Sequence, residues 1–119
     1  KNVKVAVLGV TFKENCPDIR NSKVIDLVKE LQEFGCVVDV HDPIADPEEL
    51  HRDCGLRLVN WKELPLADVI IAAVSHDDYL EMPLEALLER LLPGGIFMDI
   101  KSKYSMNAVV DRGYEVWRL

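Results

Sequence analysis

The sequence predicts an α/β protein, a doubly wound parallel sheet in three layers, and three observations carry that expectation. Short apolar runs rich in β-branched residues, at 3–10 and again at 68–74, have the composition of strands buried on both faces. Between such runs lie segments of crossover length whose apolar residues recur at helical spacing. Gly35, Pro43, Gly55, Pro65 and Gly113 punctuate the joints rather than the interiors of these segments. Strands alternating with helices, with no internal repeat, imply parallel pairing through right-handed crossovers and an expected strand order 3-2-1-4-5-6.

The opening strand ends at Thr11. Residues 12–22 (Phe12-Lys13-Glu14-Asn15-Cys16-Pro17-Asp18-Ile19-Arg20-Asn21-Ser22) show no periodicity, several charges and one proline, and read as a site loop. Ser22 supplies an N-cap hydroxyl, Val24, Leu27, Val28, Leu31 and Phe34 form the apolar stripe of the first helix, and Gly35 stops it. A second strand over 36–41 is closed by Asp42-Pro43. Asp46 at the N-cap, Pro47 at N1 and two acids in the first turn open a short helix that Gly55 ends. A third, short strand is expected over 56–59 near a sheet edge, then a helical turn over 61–64. Residues 68–74 form a central strand, followed by a polar loop over 75–79. Leu84, Leu87, Leu88, Leu91 and Leu92 describe a core-facing helix terminated by Pro93-Gly94-Gly95. A fifth strand over 96–100, Lys101-Ser102-Lys103, a helix over 104–112 and a sixth strand over 114–118 complete the chain.

Length and charge set the outer bounds. At 119 residues the chain reads as one domain, 1–119, able to bury about two-thirds of its unfolded surface. Its net charge of −7 repels phosphate backbones, and the absence of a basic patch argues against a nucleic-acid partner. The longest apolar run, 69–74, is far short of the roughly 20 residues of a membrane span. Three cysteines without C-x-x-C spacing argue against a disulfide framework or a zinc knuckle and fit a reducing, cytoplasmic setting. His41 and His51 show no metal-site spacing either, so no metal is expected. A start at Lys1 is read as a domain excised from a larger protein.

In an open α/β sheet, ligands bind outside the carboxyl ends of the strands, at the switch point. The expected order makes strands one and four neighbours there, so the 12–22 and 75–79 loops should face one crevice, bordered by Lys101. A Rossmann-like sheet first brings dinucleotide binding to mind, but Gly9-Val10-Thr11-Phe12-Lys13-Glu14 has one glycine and bulky residues where the pyrophosphate fingerprint needs more. Lys13 and Arg20, two cations on one loop, offer a side-chain grip on phosphates instead, and are expected to point into a single mouth beside Ser75 and His76. Plainer roles stand beside these: Lys13 as a solvated loop residue, Arg20 paired with Asp18, Phe12 as a plug over the strand end, His76 as a structural histidine. Cys16 has no histidine near it in sequence and is not read as a nucleophile.

The run from Gly9 to Ser22 resembles the signature opening the C-terminal, UDP-binding domain of the UDP-glucose/GDP-mannose dehydrogenase family. Asp42-Pro43 and Asp99-x-Lys101 are similar to that family's pattern as well, and Lys-Glu-Asn-Cys-Pro-Asp-x-Arg-Asn is most like its bacterial UDP-N-acetylhexosamine branch. The resemblance implies an NAD-dependent oxidation of a UDP-sugar C6 alcohol to a carboxylate through a thiohemiacetal, for surface polysaccharide synthesis. It implies that Phe12 and Lys13 line the UDP-sugar site and that Arg20 reaches the NAD diphosphate across a domain interface. Lys101 falls where many members carry arginine, which keeps the charge but not the bidentate geometry of a substrate contact. No catalytic residue is expected here: the nucleophilic cysteine and the main NAD fold belong to central and N-terminal domains outside these residues, in a full-length homodimer. The rival reading is a non-catalytic, flavodoxin-like regulatory or docking module.

Overall fold

The computed structural model describes residues 2–118 and shows a five-stranded, wholly parallel sheet in the order β2-β1-β3-β4-β5. The strands are β1 (Lys4–Leu8), β2 (Val37–His41), β3 (Ala67–Ala72), β4 (Leu91–Asp99) and β5 (Glu115–Arg118). Helix α1 (Lys23–Glu33) and helix α2 (Pro47–Cys54) come before β3; α3 (Asp77–Leu80), α4 (Leu84–Leu88) and α5 (Met106–Asp111) come after it. None of these helices is long and apolar enough to cross a membrane.

Alternation along β1 explains the three layers. Val5 and Val7 pack with Ile25 and Val28 of α1 and Leu50 of α2, whereas Ala6 and Leu8 pack with Tyr79, Leu87 and Val109 from α3, α4 and α5. A strand apolar on both sides can satisfy both faces only between two helical layers. In the second core Phe97 is fully buried and meets Tyr104 edge to face, with centroids 5.3 Å apart.

The expected order survives with one strand reduced to a single bridge. Residues 56–59 sit beside β2 as anticipated, but pairing is confined to Val40 and Leu58, with the Val59 N–H donating to the Val40 carbonyl at 2.8 Å. Gly55, in the left-handed region at φ 72°, ends α2, and the Trp61–Glu63 turn begins six residues later. The fourth helix departs from expectation more clearly. It stops at Leu88, and Leu91 already pairs with Ala67, so Pro93-Gly94-Gly95 lie inside β4 as a bulge rather than after a helix. Gly95 is required there, because a Cβ would come within 2.9 Å of the Asp68 carbonyl oxygen.

Gly9 marks the end of β1 where the chain must pass close to β3. It adopts φ +95°, and a Cβ at that position would lie 2.6 Å from the Val74 Cβ. Gly9→Ala is therefore expected to cost about 2–4 kcal/mol, combining left-handed strain with overpacking. A lowered urea midpoint at unchanged slope would show it, and an unchanged midpoint would refute it.

Candidate functional site

The strand order puts the switch point between β1 and β3, and the loops leaving their carboxyl ends are bolted together by hydrogen bonds. The Asn15 N–H donates to His76 Nδ1 at 2.9 Å, and the Asp77 N–H donates to Asn15 Oδ1 at 2.8 Å. Asn15 takes φ 59°, a conformation asparagine tolerates better than most side chains. The third loop joins through Lys101, whose Nζ lies 3.3 Å from Glu14 Oε2. Between them opens a cavity of about 460 Å³ lined by Glu14, Asn15, Ser75, Asp77, Leu80, Lys101 and Lys103. A neighbouring hollow of about 230 Å³ runs under Phe12 and is lined also by Thr11, Lys23, Val74 and Lys101. The anticipated crevice exists, and Lys101 borders both of its compartments.

Two buried aspartates shape this edge. Asp42 Oδ1 accepts the N–H groups of Ile44 and Ala45, and Oδ2 accepts the Val10 N–H at 2.8 Å and faces His76 Nε2 at 3.0 Å. Burial pushes the Asp42 carboxyl upward, but the His76 hydrogen bond and the three backbone N–H groups outweigh it and leave it below the usual carboxylate value of 3.8. Asp99, 1% exposed, accepts the N–H groups of Lys103 and Tyr104 and so fixes the turn that follows β4 and carries Lys101. Sequence reasoning noticed Asp42-Pro43 and Asp99-x-Lys101 only as pattern. The readable signal was an acid directly at the end of an apolar strand, where its oxygens can cap the amides of the next turn.

Phe12 is 57% exposed at the mouth, and Lys13 is exposed beside it. Arg20 is not with them. Its guanidinium donates to Asp18 from Nε at 3.0 Å and Nη2 at 3.2 Å, and it lines a separate cavity of about 360 Å³ with Ser22, Asp26, Asp53 and Cys54. The expectation of a two-cation clasp in one mouth is thus corrected, because the Asp18 side chain and the turn at Asn21, φ 63°, carry Arg20 toward α2. Asp18 in turn ionises more readily, chiefly through the Arg20 side-chain hydrogen bond. His76 takes the structural role that stood beside the ligand-facing one: its side chain is 0% exposed and does not line the mouth. Ser22 occupies the N-cap of α1 but makes no capping hydrogen bond, and its buried Oγ has no partner among the described residues.

The profile of the UDP-glucose/GDP-mannose dehydrogenase family, UDP binding domain, matches residues 6–106. The chain belongs to this family. It is 43% identical over 115 residues to Protein CapL of Staphylococcus aureus, covering 97% of this chain and 27% of that protein. It is 48% identical over 81 residues to the UDP-N-acetyl-D-glucosamine 6-dehydrogenase of Salmonella typhi, covering 68% and 19% respectively. Among solved structures, the NDP-N-acetyl-D-galactosaminuronic acid dehydrogenase from Methanosarcina mazei Go1 superposes with a TM-score of 0.85 at 19% identity, over 99% of this chain and 24% of that one. The chain therefore spans about a quarter or less of the length of these relatives.

For a UDP-binding domain of this family the disposition of backbone amides is informative. After β1 the N–H of Gly9 donates to the His41 carbonyl, that of Val10 to Asp42, that of Phe12 to the Asp18 carbonyl and that of Asn15 to His76. These four amides are committed to partners within the protein and are not available to cradle a pyrophosphate.

Because the Asp42 carboxyl is depressed in the folded protein, its contribution is fully present above about pH 4 and lost as pH falls through the lowered value. Asp42→Asn is expected to destabilise by about 2–4 kcal/mol at pH 7, since it strands buried donors. In thermal melts the gap between wild type and variant should narrow at pH 3; a gap that stays constant from pH 7 to pH 3 would contradict this.

Proposed function

We propose that this chain is the nucleotide-sugar-binding domain of an NAD-dependent UDP-sugar 6-dehydrogenase, which converts the sugar C6 alcohol to a carboxylate for surface polysaccharide synthesis. The observation that carries the reading is the crevice at the β1/β3 switch point, where Lys101 lines both hollows and Phe12 the smaller one, with Lys13, next to Phe12 in the chain, exposed. Phe12 offers a flat apolar face for a base or sugar, and Lys13 and Lys101 offer mobile point charges for the diphosphate. The Lys101–Glu14 pair is half-exposed, so Lys101 exchanges its carboxylate partner for a phosphate at small cost.

In this reading the whole protein is cytoplasmic and homodimeric, with N-terminal and central domains supplying the NAD fold and the nucleophilic cysteine, so that these 119 residues alone are inactive. NAD, when bound, accepts hydride in each of two oxidation steps. This domain's residues do not hold it by themselves; Arg20, on its separate face, contributes one guanidinium toward the cofactor diphosphate once Asp18 releases it. The Asp18–Arg20 pair is solvent-exposed and weak, and so does not oppose that role. The free state of Cys16, Cys36 and Cys54 fits a reducing compartment.

In the full-length protein, with NADH formation as readout, Lys13→Ala is expected to raise the KM for UDP-sugar about 10- to 100-fold with the NAD KM little changed. Arg20→Ala is expected to do the reverse, raising the NAD KM by about tenfold or more. Both variants should melt within a degree or two of wild type, because both side chains are exposed. Unchanged kinetics in both, or a shared loss of thermal stability, would favour a docking module instead.

A further inference from the structure

We propose that His76 is a positioning residue for the nucleotide sugar: anchored by Asp42 with its proton on Nε2, it uses Nδ1 to fix the turn that presents Phe12 and Lys13. The inference rests on the assignment of those two residues to the substrate made above.

The tautomer follows from the partners. The backbone N–H of Asn15 points at Nδ1 from 2.9 Å, and an amide nitrogen can only donate, so Nδ1 carries the lone pair. The ring proton is therefore on Nε2, which faces Asp42 Oδ2 at 3.0 Å and Thr11 Oγ1 at 3.2 Å. Thr11 Oγ1 donates onward to the Lys13 carbonyl at 3.0 Å. One imidazole thus reaches both ends of the turn, Thr11 on the strand side and Asn15 on the far side, with Phe12, Lys13 and Glu14 held between. The next residue repeats the tie, since the Asp77 N–H donates to Asn15 Oδ1 at 2.8 Å.

The His76 and Asp42 side chains are both 0% exposed, so His76 acts on a ligand only through the turn. The Phe12 and Lys13 side chains are exposed; the turn that carries them is held by the buried ring together with the Phe12 N–H bond to the Asp18 carbonyl at 2.7 Å. The chemistry also says which replacements preserve the effect. Asparagine places an acceptor near the Nδ1 position but does not reach Asp42. Glutamine reaches the Nε2 position as a donor but leaves the Asn15 N–H without an acceptor.

The test compares wild type, His76→Asn and His76→Gln in the full-length protein, measuring UDP affinity by calorimetry, steady-state kinetics, and amide hydrogen exchange of the peptide covering residues 11–16. His76→Gln is expected to weaken UDP binding and raise the UDP-sugar KM about tenfold, with kcat changed less than about twofold and exchange of the peptide accelerated. His76→Asn, which keeps an acceptor for the Asn15 N–H but loses the Asp42 anchor, should retain more of the affinity and the protection than His76→Gln. Equal losses of affinity in the two variants, or a lowered melting temperature with UDP affinity unchanged in His76→Gln, would overturn the positioning role while leaving the functional reading intact. A wild-type protein that binds no UDP would overturn that reading and this role with it. Should His76→Gln fail to fold, Thr11→Val, which spares the Asp42 pairing but frees the Lys13 carbonyl, is read in its place; a several-fold loss of UDP affinity supports the role, and wild-type affinity overturns it.

Discussion

The carboxylate of Asp42 is the interaction on which the working edge of this domain depends. Removing a carboxylate from water is expensive unless donors replace the solvent. Here four do so: the N–H groups of Val10, Ile44 and Ala45 and the Nε2 of His76. The donors come from the loops after β1, β2 and β3, so a single buried charge couples three crossovers that share no continuous chain. Asp99 serves the loop after β4 in the same way, on a smaller scale.

A consequence follows for recognition. Nucleotide-binding α/β folds commonly meet phosphate with free amides at a helix N-terminus. In this chain the N–H groups of Gly9, Val10, Phe12 and Asn15 satisfy Asp42, His76 and neighbouring carbonyls. Under the proposed function, recognition is displaced outward, to long side chains standing on a stiff platform of buried, hydrogen-bonded polar groups.

The contrast between the buried His76–Asp42 hydrogen bond and the exposed ion pairs supports the same division. His76–Asp42 is wholly desolvated, and breaking it strands both partners. Arg20–Asp18 and Lys101–Glu14 are open to water, hold little energy and can be exchanged for an anionic ligand. Rigidity lies beneath the surface of the crevice and exchangeable charge at its rim.

Much of this was legible in the residues. The apolar runs at 3–10 and 68–74, the capped and glycine-stopped helices and the polar loops between them determined a doubly wound parallel sheet and the neighbourhood of Phe12, Lys13, Ser75 and Lys101, because periodicity and punctuation are local properties of the chain. The run from Gly9 to Ser22 determined the family. Four things were decided only by tertiary structure. Residues 56–59 became one bridge, Val40 to Leu58, and Pro93-Gly94-Gly95 entered a strand because Leu91 found a partner in Ala67 across the sheet. Arg20 turned away from Lys13 because Asp18, two residues earlier, captures its guanidinium. His76 went inward because Asp42, thirty-four residues away in sequence, together with Thr11 and the Asn15 N–H, satisfies the buried imidazole, and such long-range pairing leaves no periodic trace.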